Sequence, residues 1–312
     1  MRQKHFLGFL LLSAAFAACS PDAEEVNRLP EGEYPVIFIT SLKGLTITRA
    51  ATADGTWTEG DEVAVQIDNE VKKYVVTSNN TSATLVAADG EPPFYWENKN
   101  DITVDAWYPY SDAKPALSAL RVKADQSTDN NYQASDYLEA ATTTVTFAEQ
   151  KLTFKHRTAK VVVKLQAGDG VENLTGAAVA FVNQTGVEDN NIEVTPKTET
   201  KGGVTTYTVL LIPQQMKNKQ FIKVTLGGYK YFYTPTGEDE ANLTAGQQHT
   251  YVVTVKKTRL DVTVPSPSQW SGSSDNVTGN AQTVTPGTDG TGSSWIQNGS
   301  EETVTGTEKT TN

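Results

Sequence analysis

The chain is poor in the residues that most enzymes depend on. Its 312 residues hold 1 Cys and 3 His. The cysteine is Cys19 and one histidine is His5, so the body of the chain offers only His156 and His249 and no thiol. A lone cysteine excludes an intramolecular disulfide framework and leaves the body without a cysteine nucleophile. Neither Gly-x-Ser-x-Gly nor His-Glu-x-x-His occurs. The acidic residues carry no local signature that would mark a working carboxylate pair. The expectation is therefore a protein that is not an enzyme and carries no cofactor. Positive charge is also short, with 26 Lys and Arg against 37 Asp and Glu, a net −11. That balance excludes the basic footprint of a nucleic-acid binder and electrostatic docking on anionic lipid. Long apolar runs are missing too. The run from Phe6 to Phe16 falls short of the ~20 residues that cross a bilayer. No helical period is sustained beyond it.

What is present begins at the N-terminus. Arg2 and Lys4 give a basic start, Phe6 to Phe16 an apolar core, and Phe16-Ala17-Ala18 places small residues directly before Cys19. A basic region, a short apolar region and a small-residue cleavage site describe an export signal. With the cysteine at the cleavage point it resembles a bacterial lipoprotein signal. The resemblance implies removal of residues 1–18 and attachment of lipid, palmitate included, to the Cys19 thiol. Processing removes Arg2 and Lys4 and no acid, which takes the charge from −11 to near −13. A surface so acidic must be held to its membrane by lipid. One acyl chain binds marginally, and a lipoprotein cysteine carries several. Residues 19–33 form a tether. Its acidic cluster, Ser20-Pro21-Asp22-Ala23-Glu24-Glu25, resembles the surface-export tether of lipoproteins from the Bacteroides group and also reads as a solvated linker. The implied location is the outside of the outer membrane.

From Pro35 onward the ordered segments read as strands. Val36 to Ile39, Leu45 to Thr48, Val63 to Ile67, Tyr74 to Thr77, Ile102 to Trp107, Ala159 to Leu165, Tyr207 to Ile212, Phe221 to Leu226 and Tyr251 to Lys256 are short, β-branched or aromatic, and bounded by Gly, Asn, Asp and Pro. One helical turn fits Ser135 to Ala140. Many short strands with frequent turns predict an all-β protein built as sandwiches. A sandwich takes about 100 residues, so two in tandem are expected, at 34–140 and 141–265. The tail, 266–312, is rich in Ser, Thr, Gly and Asn and reads as disordered, because such a composition buries too little to offset the entropy of ordering.

Few residues stand out as chemistry. Trp57, Trp96, Trp107 and Tyr110 either pack in the cores or form a platform for sugar rings. His156 and His249 lie beside strands and read as packing or hydrogen-bonding histidines, not metal ligands. Glu238-Asp239-Glu240 is an acidic turn. Calcium takes oxygen ligands, but this spacing fits no calcium loop, so no metal is expected.

Several motifs then occur in one order: Thr48-Arg49-Ala50; Trp57-Thr58-Glu59-Gly60-Asp61; Tyr95-Trp96; Asp105 to Tyr110; Ser135 to Ala140; Leu152 to Val161; Ala245-Gly246-Gln247-Gln248-His249; and Ser268-Gln269-Trp270. Together, over residues 36–270, they resemble the fimbrillin-like (Mfa-like) lipoproteins of the Bacteroides group. The resemblance implies two transthyretin-like sandwiches and a pilus subunit, tip or accessory component that supports adhesion. It implies cleavage after an arginine, loss of an early strand, and insertion of a strand from another subunit in its place. Here the removable segment would be Tyr34 to Thr48, apolar at Val36, Phe38, Leu45 and Ile47. Arg49 would be the cleavage point. Arg28 is the rival, though a cut there leaves the strand in place. Implied partners are other subunits, membrane lipid through Cys19, and a host or microbial surface ligand. A surface glycan-binding lipoprotein is the alternative.

Overall fold

A computed structural model describes residues 27–42, 52–202 and 204–270, together with the backbone of 280–287 and 301–308. The protein is all-β. Its described helices are short: α1 (Asp129–Gln133), α2 (Glu238–Ala241) and brief 3-10 turns such as Thr52–Asp54.

Seven strands form the first sheet: β1 (Phe38–Leu42), β2 (Glu62–Ile67), β3 (Glu70–Val76), β4 (Ser82–Ala87), β5 (Ile102–Tyr108), β6 (Leu138–Val145) and β7 (Lys151–His156). In the order β1-β4-β3-β2-β5-β6-β7 they close on themselves, with β1 joining the two ends. Period-two alternation sends every second side chain inward. Val36, Phe38, Trp57, Tyr74, Leu85 and Phe154 meet in the enclosed core.

The second sheet is built mainly from β8 (Ala159–Ala167), β9 (Ala178–Phe181), β10 (Lys197–Lys201), β11 (Val204–Leu211), β12 (Ile222–Leu226), β13 (Tyr229–Thr234), β14 (Gln247–Lys256) and β15 (Arg259–Val264). A short β16 (Ser268–Gln269) pairs with the start of β14. Val161, Phe181, Val209, Phe221, Tyr251 and Leu260 lie in its core. The β12–β13 hairpin turns on Gly227 and Gly228, both at positive φ (58° and 86°). Two successive positive φ values are what a two-residue hairpin of the right twist needs, and glycine adopts them without strain.

Three expectations need adjusting. The border expected at 140–141 cuts β6. The first sheet runs to His156 and the second starts at Ala159. Residues 123–131 are polar, yet Gln126 is fully buried. Its amide donates to the Leu210 carbonyl (2.8 Å) and accepts from the Leu210 N–H (2.9 Å), acting as a stub of neighbouring strand. The helical turn falls at α1, not at Ser135 to Ala140. Thr128 caps it by accepting from the Asn131 N–H, and Leu138 already begins a strand. In the tail, β17 (Asn280–Gly287) and β18 (Glu301–Glu308) are backbone strands lying between β15 and β13. Both carry Thr-Val-Thr, a β-favouring run inside an otherwise polar segment.

Candidate functional site

The strand that joins the first sheet's ends is the strand singled out in the sequence. β1 pairs antiparallel with β4, Phe38 opposite Leu85 and Thr40 opposite Ala83, and parallel with β7, Ile39 opposite Lys151. The approach to β1 is held as well. The Val36 N–H donates to the Phe94 carbonyl (2.8 Å), the Trp96 N–H to the Tyr34 carbonyl (2.9 Å), and the Ile39 N–H to the Gln150 carbonyl (2.8 Å).

Val36, Phe38, Thr40 and Leu42 point inward and are buried, while Ile37 and Ile39 face out at 42% and 55% exposure. Leu42 therefore continues the inward series set by Val36 and Phe38. Phe38 meets the Tyr74 ring edge-on at 5.7 Å. Thr40, a polar residue that gave no signal in the sequence, donates its hydroxyl to the Ala83 carbonyl at 3.1 Å. Tyr74 ties the seat together. Its hydroxyl donates to the Val36 carbonyl and accepts from the Phe94 N–H, and burial pushes its pKa up to about 12. Removing β1 would open a trough walled by the edges of β4 and β7 and floored by the core. Unpaired edges above an apolar trough are what an incoming strand satisfies.

Cys19 and Arg49 lie outside the described residues, as do Leu45 and Ile47. Arg28 is exposed and pairs with Asn98. It precedes β1, so a cut there would leave the strand seated.

The sugar platform is not formed. Trp57, Trp96 and Trp107 are 0%, 2% and 1% exposed. Trp57 sits edge-on to Tyr108 and Phe154, Trp96 packs on Phe147, and the Trp107 indole N–H donates to Ser111. Their rings fill core positions, as strand alternation directs. Tyr110 alone is half-exposed, and its hydroxyl donates to Asp112.

The histidines are separate. His249 is buried, and its Nε2 accepts from the Thr244 N–H at 3.0 Å. Burial drives its pKa down to about 4. His156 places Nδ1 2.8 Å from the Asp136 carboxylate and stacks on Trp270 at 3.7 Å between ring centroids. In the acidic turn Glu240 points inward. It accepts from the Thr236 and Gly237 N–H groups and from the Tyr233 hydroxyl. Glu238 instead pairs with Lys217. The carboxylates of this turn do not converge on one point.

Residues 48–270 match the family described as fimbrillin-like. The chain belongs to the fimbrillin-like family. A Bacteroides uniformis protein named putative fimbrium subunit Fim1C is 22% identical over 311 residues, covering 90% of this chain and 100% of its own. The fold is shared with crystal structures of putative cell adhesion proteins. One from Bacteroides uniformis has a TM-score of 0.57 at 18% identity, covering 78% of this chain and all of that one. One from Bacteroides ovatus has 0.56 at 18%, covering 76% and 97%. The family match begins at residue 48, so this fimbrillin-like chain carries β1 upstream of the matched region.

Proposed function

We propose that this fimbrillin-like chain is a subunit of a surface fimbria, in a tip or accessory position, that assembles by protease-triggered strand exchange and supports adhesion. The observation that carries the reading is β1 itself. It is bonded along both edges, buried on one face, and joins β4 to β7 so that the first sheet closes. Hydrolysis of the Arg49–Ala50 bond adds one water, leaving a carboxylate on Arg49 and an amine on Ala50. The segment ending at Arg49 is then covalently free. It is held by strand pairing and by three buried apolar side chains, Val36, Phe38 and Leu42, which contribute about 1.5–3 kcal/mol each. A donor strand from another subunit with matching alternation recovers the same burial and the same backbone bonds, so exchange runs without a large net cost. The free edges also explain why the precursor keeps its own strand until it reaches the surface.

Lipidation at Cys19 would deliver the precursor to the outer membrane. A cut at Arg49 would separate the body from that anchor. The tip or accessory position is supported by the tail. Beyond Val264 its polar sequence lacks the alternation of a donor strand, and β17 and β18 are engaged between β15 and β13 of the same chain; Leu260-Asp261-Val262-Thr263-Val264 keeps that alternation and is the donor stretch for oligomers of the purified chain. The buried tryptophans give a glycan-binding role no support.

The test is incubation of the 20–312 chain with an arginine-specific protease. The expected result is a body beginning at Ala50, a released fragment ending at Arg49, and oligomers once the fragment leaves. Absence of both the released fragment and the oligomers would refute the reading.

A further inference from the structure

Two chain segments, one just after the proposed cleavage point and one at the root of the tail, meet at one buried point. The turn Thr52–Asp54 lies just downstream of Arg49, and Trp270 lies at the root of the tail. Ala53 is fully buried and Trp270 is 1% exposed. The Trp270 indole N–H donates to the Ala53 carbonyl at 3.1 Å, and the Lys160 ammonium donates to the same carbonyl at 3.3 Å. Both lone pairs of one backbone oxygen are thus engaged by buried donors.

The surroundings belong to both sheets. Lys160 stands on β8, opposite Leu210 of β11 and Gln248 of β14, on the side of the sheet away from its core. Ala53, Tyr132, Leu210 and Trp270 form one apolar cluster there. His156, the last residue of β7, stacks on the other face of the site through Trp270 and is held by Asp136. The neighbour strand of β1 therefore ends at this same point. Charge is matched from the turn itself. Asp54 lies 3.5 Å from Lys160 and 3.8 Å from Lys197. A buried ammonium that loses its counter-charge is strongly destabilised, so lifting the turn away would leave Lys160 exposed to that cost.

We propose that Ala53, Asp54, Lys160, Trp270 and His156 form a clasp that fixes the chain immediately after the cleavage point to the boundary between the two sheets. Its role in assembly rests on the Arg49 reading. The segment upstream of the cut can unzip from β4 and β7, while the chain downstream of it stays bolted to the second sheet. The root of the tail is fixed at the same node. A cut then frees one strand without loosening the body that must receive its replacement.

The test is hydrogen exchange of the 20–312 chain, before and after protease treatment, in wild type, Trp270→Phe, Trp270→Ala and Asp54→Asn. Trp270→Phe keeps a ring over His156 and removes the N–H to Ala53. It should speed exchange in residues 52–57 about tenfold, the worth of one buried hydrogen bond, with β2 to β5 unchanged. Asp54→Asn should act the same way. Trp270→Ala should raise exchange further and extend it to residues 156–160. In the cut wild type, residues 53–57 should keep their protection. Unchanged exchange at 52–57 in both Trp270→Phe and Asp54→Asn would overturn the clasp, as would loss of protection there on cutting the wild type. If Trp270→Ala fails to fold, the other two variants still decide the matter. If the protease does not cut at Arg49, the processing reading fails, while exchange in the uncut chain still decides whether the clasp exists.

Discussion

Phe38→Ala separates a removable strand from a permanent one. Phe38 is fully buried, faces Leu85 in register and meets the Tyr74 ring edge-on. Truncating a buried phenylalanine costs about 3–5 kcal/mol, a large share of the 5–15 kcal/mol that holds a typical domain. At 1.4 kcal/mol per decade, the unplugged state should become about a hundred- to several-thousand-fold more populated. The uncut chain should lose urea stability, and exchange at residues 36–42 should accelerate. The distinguishing feature lies after the cut. Phe38 leaves with its strand, so oligomers made from the variant should be as stable as those from wild type and should form faster. Leu85→Ala is the control, since Leu85 stays in the wall of the trough and should weaken both forms. Equal destabilisation of cut and uncut protein by Phe38→Ala would refute the reasoning, because the strand would then have stayed.

Other sites give independent checks. The His249 imidazole is shifted from 6.5 down to about 4 by burial, so below pH 6.5 the unfolded chain takes a proton that the folded chain refuses. Stability should be full above pH 6.5 and fall by about 1.4 kcal/mol per unit towards pH 4; His249→Asn should flatten this slope in urea titrations at pH 7 and pH 5, and an unchanged slope would contradict it. Gly186 sits at φ 70°, and a Cβ there would lie 2.5 Å from Ile212 Cγ1, so Gly186→Ala should cost about 1–3 kcal/mol, read as a lowered urea midpoint. Glu240→Ala removes the acceptor of the Thr236 and Gly237 N–H groups and of the Tyr233 hydroxyl. The Tyr233 hydroxyl is buried, and leaving such a donor unmade costs about 1–3 kcal/mol, so the thermal midpoint should fall well below that of a surface Glu→Ala change.

The strands were legible because their chemistry is local. Val161, Val163 and Leu165 alternate with neighbours on the opposite face of β8, and the structure keeps that phase. The inward phase of Val36 and Phe38 was equally plain. Its continuation through Thr40 to Leu42 was not, since a threonine in a core looks polar until its partner, the Ala83 carbonyl, is in place. Gln126 gives no signal for the same reason: nothing local shows that an amide in a polar stretch completes the hydrogen bonding of Leu210. The aromatic residues admitted two readings because composition does not say which face of a strand is covered, and closure of the first sheet places Trp57 and Trp107 in or beside its core. The junction at Ala53 gave no signal at all. It depends on Lys160 and Trp270, residues more than a hundred positions away that only the tertiary fold brings to one carbonyl.

The most direct test of β1 as a replaceable plug is a reversible lock. Ser41 and Ser82 are partners in the β1–β4 register. The neighbouring Leu42–Thr81 position carries a backbone hydrogen bond, which makes 41–82 the closer type of pair, with Cα atoms about 4.5 Å apart and within disulfide reach. In the 20–312 chain, Ser41→Cys with Ser82→Cys introduces the only two thiols. After cleavage at Arg49, the oxidised protein should retain its fragment and stay monomeric, and reduction should release the fragment and start oligomer growth. Oligomers forming equally well with the disulfide closed would contradict the account.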